Sequence, residues 1–142
     1  MDLKYKQYID LYDECESKEC IARRRVAFRW TFESIKDKRN FLPRYLLPAY
    51  ENEPKESCVG YSLSMFDKAD QAIDRLKKLS KGKNNIYKKL GTHLASGTIE
   101  ETDGISGLSS INQINKGHFS IFEYVNADFS ETFKIQEKLI KD

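Results

Sequence analysis

The run Cys58-Val-Gly-Tyr-Ser-Leu-Ser-Met-Phe66, continued without a break by Asp67-Lys-Ala-Asp-Gln-Ala-Ile-Asp-Arg-Leu-Lys-Lys-Leu79, restricts the fold more than any other stretch. Val59, Tyr61, Leu63 and Met65 occupy alternate positions, with small residues between them. Period two is the pattern of a strand with one bulky face. From Asp67 the period changes, and Ala69, Ala72, Ile73, Leu76 and Leu79 form a helical stripe. Asp67 is suited to cap the first turn of that helix. The expectation is a strand over 58–66 joined almost directly to a helix.

Two further helices are expected before this unit. Tyr5, Tyr8, Ile9 and Tyr12 follow i, i+3, i+4, i+7 spacing, which predicts a helix over 3–16. Ile21 to Ile35 fits two patterns. Val26, Phe28, Trp30 and Phe32 alternate as in a strand, whereas Ile21, Arg25, Phe28, Phe32 and Ile35 repeat as in a helix. The helix-forming run Ala22-Arg-Arg-Arg25 and the absence of a turn signal favour the helix. Residues 36–57 hold all 3 prolines, Pro43, Pro48 and Pro54, among Phe41, Leu42, Tyr45, Leu46, Leu47 and Tyr50. Proline removes a backbone donor, so an irregular apolar belt is expected there.

Beyond the helix, Gly82 is expected to stop it, and Thr92 to Glu100 to form a strand of small residues. Asp103-Gly104 marks a turn and Ile105 to Gly117 reads as a mobile polar loop. His118-Phe-Ser-Ile-Phe-Glu-Tyr-Val125 is expected to be a central strand, because large apolar groups occupy both faces. Ser130 is placed to cap a last helix with Phe133, Leu139 and Ile140. The predicted fold is therefore α+β: two N-terminal helices, a Pro-rich connecting belt, and a small β-α-β-β-α half with a short mixed or antiparallel sheet. A chain of 142 residues fits a single domain spanning 1–142.

A charged fraction of 32% and a mean hydropathy of -0.66 predict a soluble protein without a membrane span. Cys15, Cys20 and Cys58 show no close-spaced pair, so reduced thiols in a cytoplasmic protein of bacterial or phage type are expected, with no metal and no cofactor. Net charge is only +2, but the bases cluster in 18–44 and again from Arg75 to Lys89. Arg23, Arg24, Arg25, Lys77, Lys78 and Lys81 are candidate phosphate contacts for nucleic acid. Their alternative role is a solvated or internally paired surface.

Catalytic candidates are Glu123, His118, Ser62, Ser64 and Arg29. Glu123 shares a strand face with Phe119, Ile121 and Val125, where a carboxylate needs a partner or a raised pKa. It would serve as a general base or an anchor for a ligand hydroxyl, but the favoured role is the structural partner of an arginine. Ser62 and Ser64 precede a helix N-terminus, and Arg29 would supply the anion contact. Glu100, Glu101 and Asp103 match no metal-binding spacing. A strand with small hydroxylated residues running into an Ala-containing helix resembles a segment of ADP-ribosyltransferase folds. No arginine or histidine and no catalytic glutamate of this chain align with that family's pattern. Three expectations follow: a partner-binding protein without catalytic chemistry, a nucleotide- or nucleic-acid-handling enzyme built on those five residues, or a nucleic-acid-binding module.

Overall fold

The computed structural model describes residues 1–81, 86–107 and 117–139. Its centre is a 6-stranded sheet of order β4-β5-β2-β1-β3-β6. The strands are β1 (Arg25–Thr31), β2 (Leu63–Phe66), β3 (His93–Ile99), β4 (Gly104–Gly107), β5 (His118–Glu123) and β6 (Lys134–Lys138), and every pairing is antiparallel. Three helices accompany them among the described residues: α1 (Lys6–Ile9), α2 (Ala69–Ser80) and α3 (Ile86–Leu90). Only α2 exceeds two turns. None is long and apolar enough to cross a membrane.

This overturns the expected pair of N-terminal helices and the β-α-β-β-α half. The 21–35 segment forms β1, because seven consecutive residues pair with β3 from Arg25↔Ile99 to Thr31↔His93. Helix propensity in Ala22-Arg-Arg-Arg25 is local and small, and it yields to a ladder that uses both edges of β1. The tyrosine stripe at the N-terminus does face inward, yet only four residues are helical. Leu3 instead bridges Tyr124, and the Lys4 amide donates to the Glu123 carbonyl at 2.8 Å.

The 58–66 strand is halved. Cys58–Tyr61 is a 3-10 turn, with the Ser57 hydroxyl accepting from the Val59 amide at 3.3 Å. Gly60 is necessary there, since a Cβ would lie 2.1 Å from the Tyr45 ring. Asp67 does not cap α2; Lys68 holds the cap position without a side-chain bond, and the Asp67 carboxylate accepts from Arg25 instead. At the C-terminus the predicted helix is a 3-10 turn, Phe129–Glu131, capped by Asp128, followed by edge strand β6. Residues 105–107 of the predicted loop belong to β4, while 108–116, Gly82 and Ile140 lie outside the described residues.

Alternation sends side chains to two faces, and both are covered. One face carries Ala27, Leu63, Met65, Ala95, Ile99, Phe119 and Ile121 beneath Phe41, Phe129 and Phe133. The other carries Phe28, Trp30, Phe66 and Leu94 beneath Ala72 and Ile73 of α2. On that second face, at the β5 end, Phe122 and Ile105 meet Ile9, Tyr61, Tyr8 and Tyr45. The proline segment, three short 3-10 turns, supplies Phe41 to the first core and Tyr45 and Leu46 to the tyrosine cluster.

Asn40 fastens the proline segment to the sheet. It is 2% exposed; its Oδ1 accepts from the Phe32 amide at 2.7 Å and its Nδ2 donates to the Ser34 carbonyl at 2.7 Å. Asn40→Ala strands both backbone groups and should lower the unfolding free energy by about 3 kcal/mol in urea titrations. A loss below about 1 kcal/mol would mean that the turn is held by other contacts.

Candidate functional site

The period-two register separates the catalytic candidates. Glu123 and Arg29 project to the face of Phe119 and Ala27, whereas His118 projects to the opposite face with Phe66, beside the Ser64–Ser120 pair. Glu123 is 4% exposed and bonds to the Lys4 ammonium at 2.8 Å through Oε2. Its Oε1 has no hydrogen-bond partner among the described residues. Burial drives the Glu123 carboxyl above its ordinary range, a larger effect than the opposing bond and charge of Lys4. The partner is thus a lysine, where an arginine was expected; Arg29 adds only a longer-range attraction. Tyr5 stands beside this carboxylate, and burial raises its phenol to about 12.

Arg29 does structural work. Its Nε donates to the Asn40 carbonyl at 2.7 Å and its Nη1 to the Ser64 carbonyl at 2.7 Å, tying β1 to the proline segment and to β2. Desolvation lowers the guanidinium to about 10, which leaves it charged at neutral pH. His118 is buried, its ring edge-on to Phe66 at 5.2 Å. Burial, then the charges of Arg75 and Arg29, lowers it to about 4. Ser62 donates to the Val59 carbonyl at 2.6 Å and closes the 3-10 turn, while Ser64 is exposed. Neither of two surface hollows among the described residues is lined by any of these groups. The hollow of about 550 Å³ beside the end of β1 is lined by Phe32, Glu33, Ser34, Asp37, Arg39 and Thr92, none of them a catalytic candidate.

The basic candidates also divide. Arg24 pairs with Glu100 at 3.0 Å, and Arg25 with Asp67 at 2.6 Å while lying 3.6 Å over the Phe119 ring. Lys36, Arg39 and Arg44 pair with Glu131, Asp37 and Glu53. Lys77, Lys78, Lys81, Lys88 and Lys89 are exposed, and none of them forms an ion pair among the described residues. Tyr87 donates to the Ser80 hydroxyl at 2.8 Å and holds α3 beside α2, so these lysines share one region. Arg23 and Arg24 sit elsewhere. They precede β1 at its Asp67 end, whereas α3 leads into His93, which pairs with the last residue of β1.

One grouping had no trace in the spacing. Cys15 and Cys58 form a disulfide across 43 residues, correcting the expectation of reduced thiols; the odd count leaves Cys20 unpaired. Cys15, Cys58 and the Glu16 carboxylate lie within 4.8 Å of one another. Lys4 was equally hidden, since it meets Glu123 across 119 residues. Comparison with known protein families, with curated proteins and with solved structures finds no match to this chain.

Two buried groups make opposite pH demands. The folded value of His118 lies at about 4, below its ordinary 6.5, so between those values the unfolded chain binds the extra proton and stability rises with pH. His118→Gln should flatten that limb, which amounts to roughly 2–3 kcal/mol in denaturant melts. Glu123 is held above its ordinary 4.5, so the folded chain keeps its proton longer and stability falls as pH climbs from that value. In Glu123→Gln that decline should vanish; a wild-type decline surviving in the variant would assign it to another group.

Proposed function

We propose that this protein acts by binding a partner with an acidic surface, through the lysine face of α2 and α3, and that it does so without catalysing a reaction. The supporting observation is a contrast in charge compensation. Five of the nine bases of the 18–44 segment pair with carboxylates of the chain itself, whereas Lys77, Lys78, Lys81, Lys88 and Lys89 are all exposed and outside any ion pair among the described residues. Exposed uncompensated charge steers association with a surface of opposite sign. With Glu123 and Arg29 on one face of the sheet and His118 on the other, the enzyme reading lacks a shared centre. For the ADP-ribosyl-transfer variant of that reading, β5 offers no carboxylate beside Ser64, since its residues on that face are His118, Ser120 and Phe122.

We propose a cytoplasmic protein of bacterial or phage type from its charged composition alone, a reading that the Cys15–Cys58 disulfide opposes. In a reducing compartment the Cys15–Cys58 pair would be held as thiols.

Immobilised poly-L-glutamate serves as a probe for an acidic protein surface, and an immobilised DNA duplex as the nucleic-acid arm. The chain should be retained on poly-L-glutamate in a salt-dependent way, and Lys77→Glu with Lys78→Glu should weaken retention about tenfold at low salt. Charge reversal at Arg23 and Arg24 should have a smaller effect. Equal loss from both pairs, or stronger retention on DNA, would sink the assignment.

A further inference from the structure

We infer that the reduced form of this protein binds a zinc ion through Cys15, Glu16 and Cys58. Three observations meet at this place. Two sulfurs and a carboxylate oxygen lie within 4.8 Å of one another, a donor set of borderline softness suited to zinc. Glu16 Oε2 lies 3.2 Å from Cys58 Sγ. A disulfide sulfur has no proton to donate, so that carboxylate faces the sulfurs without a hydrogen bond, and Glu16 forms no ion pair among the described residues. The third observation is access. A hollow of about 480 Å³ opens on this place and is lined by Glu14, Cys15, Glu16, Lys18 and Glu19. Carboxylates outnumber the lysine there, so the entrance attracts a cation.

The elements on either side are already fixed. Cys15 caps the 3-10 turn Glu16–Glu19, its sulfur accepting from the Ser17 amide at 3.5 Å. Cys58 opens the 3-10 turn Cys58–Tyr61 and is 1% exposed. Two turns therefore present the ligands from opposite sides, one from the N-terminal segment and one from the segment before β2. An ion held between them would keep the N-terminal segment fastened when the disulfide is open.

The chemistry balances in two steps. A dithiol reductant gives two electrons and two protons to the Cys15–Cys58 bond; it leaves as a cyclic disulfide, and the chain carries two thiols. Zinc then takes both sulfurs as thiolates, two protons pass to solvent, and Glu16 supplies an oxygen, leaving the remaining position for water. The bonded disulfide and the ion exclude each other, so uptake is gated by redox state.

The test uses the full chain, reduced with a phosphine and freed of metal, then titrated with zinc chloride and separated by gel filtration. Zinc should elute at about one equivalent per chain for the reduced protein, with none for the oxidised protein. Cobalt(II) should give a sulfur-to-metal charge-transfer band with the reduced chain. Cys58→Ser should lose uptake, Glu16→Gln should weaken it about tenfold, and Cys20→Ser should leave it unchanged. Circular dichroism of each variant confirms folding, and Glu16→Gln and Cys20→Ser keep both ligand thiols should Cys58→Ser fail to fold. No uptake by the reduced chain would overturn the site. Equal uptake by the oxidised chain, or loss in Cys20→Ser but not in Glu16→Gln, would overturn the ligand set.

Discussion

Strand β5 has no solvent side. All six residues from His118 to Glu123 are buried, and alternation sends Phe119 and Ile121 into one core and Phe122 into another. A strand buried on both faces demands a cover on each, and the described residues have few helices to offer. One cover is therefore α2. The others are irregular: the N-terminal segment with its tyrosines, the proline segment with Phe41, and the Phe129–Phe133 turn. This explains why segments without regular structure carry so many aromatic groups. It also explains why side chains such as Asn40 and Arg29 bond to carbonyls, since irregular backbone brought into a core needs partners for its polar groups.

The polar groups that this arrangement buries are arranged by face and not by chemistry. Glu123 lies where Lys4 reaches it from the chain's start, and His118 lies edge-on to Phe66 beneath the influence of Arg75. Each is displaced from its ordinary titration range mainly by lost hydration. A perturbed pKa is a common mark of a catalytic group, but buried structural groups acquire it for the same reason. Here the two side chains point to opposite faces of the sheet.

Charge follows a related economy. Carboxylates of the chain answer five of the nine bases in 18–44, and of the arginines on β1, Arg25 lays its guanidinium over Phe119 while Arg29 reaches the Asn40 and Ser64 carbonyls. The lysines of α2 and α3 stand outside that compensation. A nearly neutral total thus conceals an uneven surface, and the unevenness is what a partner would meet.

What local pattern dictated survives in the structure: the period change at 67, which yields α2; the strands over 93–99 and 118–123; the inward tyrosine stripe; and the apolar role of the proline segment. These features depend on spacing within a few residues. The strand identity of 25–31, the turn at 58–61 and the final strand 134–138 were decided by tertiary partners, because each segment is amphipathic at both periods or at neither, and pairing with β3 or packing against Tyr45 tips the balance. For the candidate groups, the burial of Glu123 was readable from its apolar neighbours. Its lysine partner, the separation of His118 from it, and the meeting of Cys15 with Glu16 and Cys58 were not. Contacts across such separations depend on how the sheet is ordered, and strand order leaves no mark on the spacing of residues along a chain.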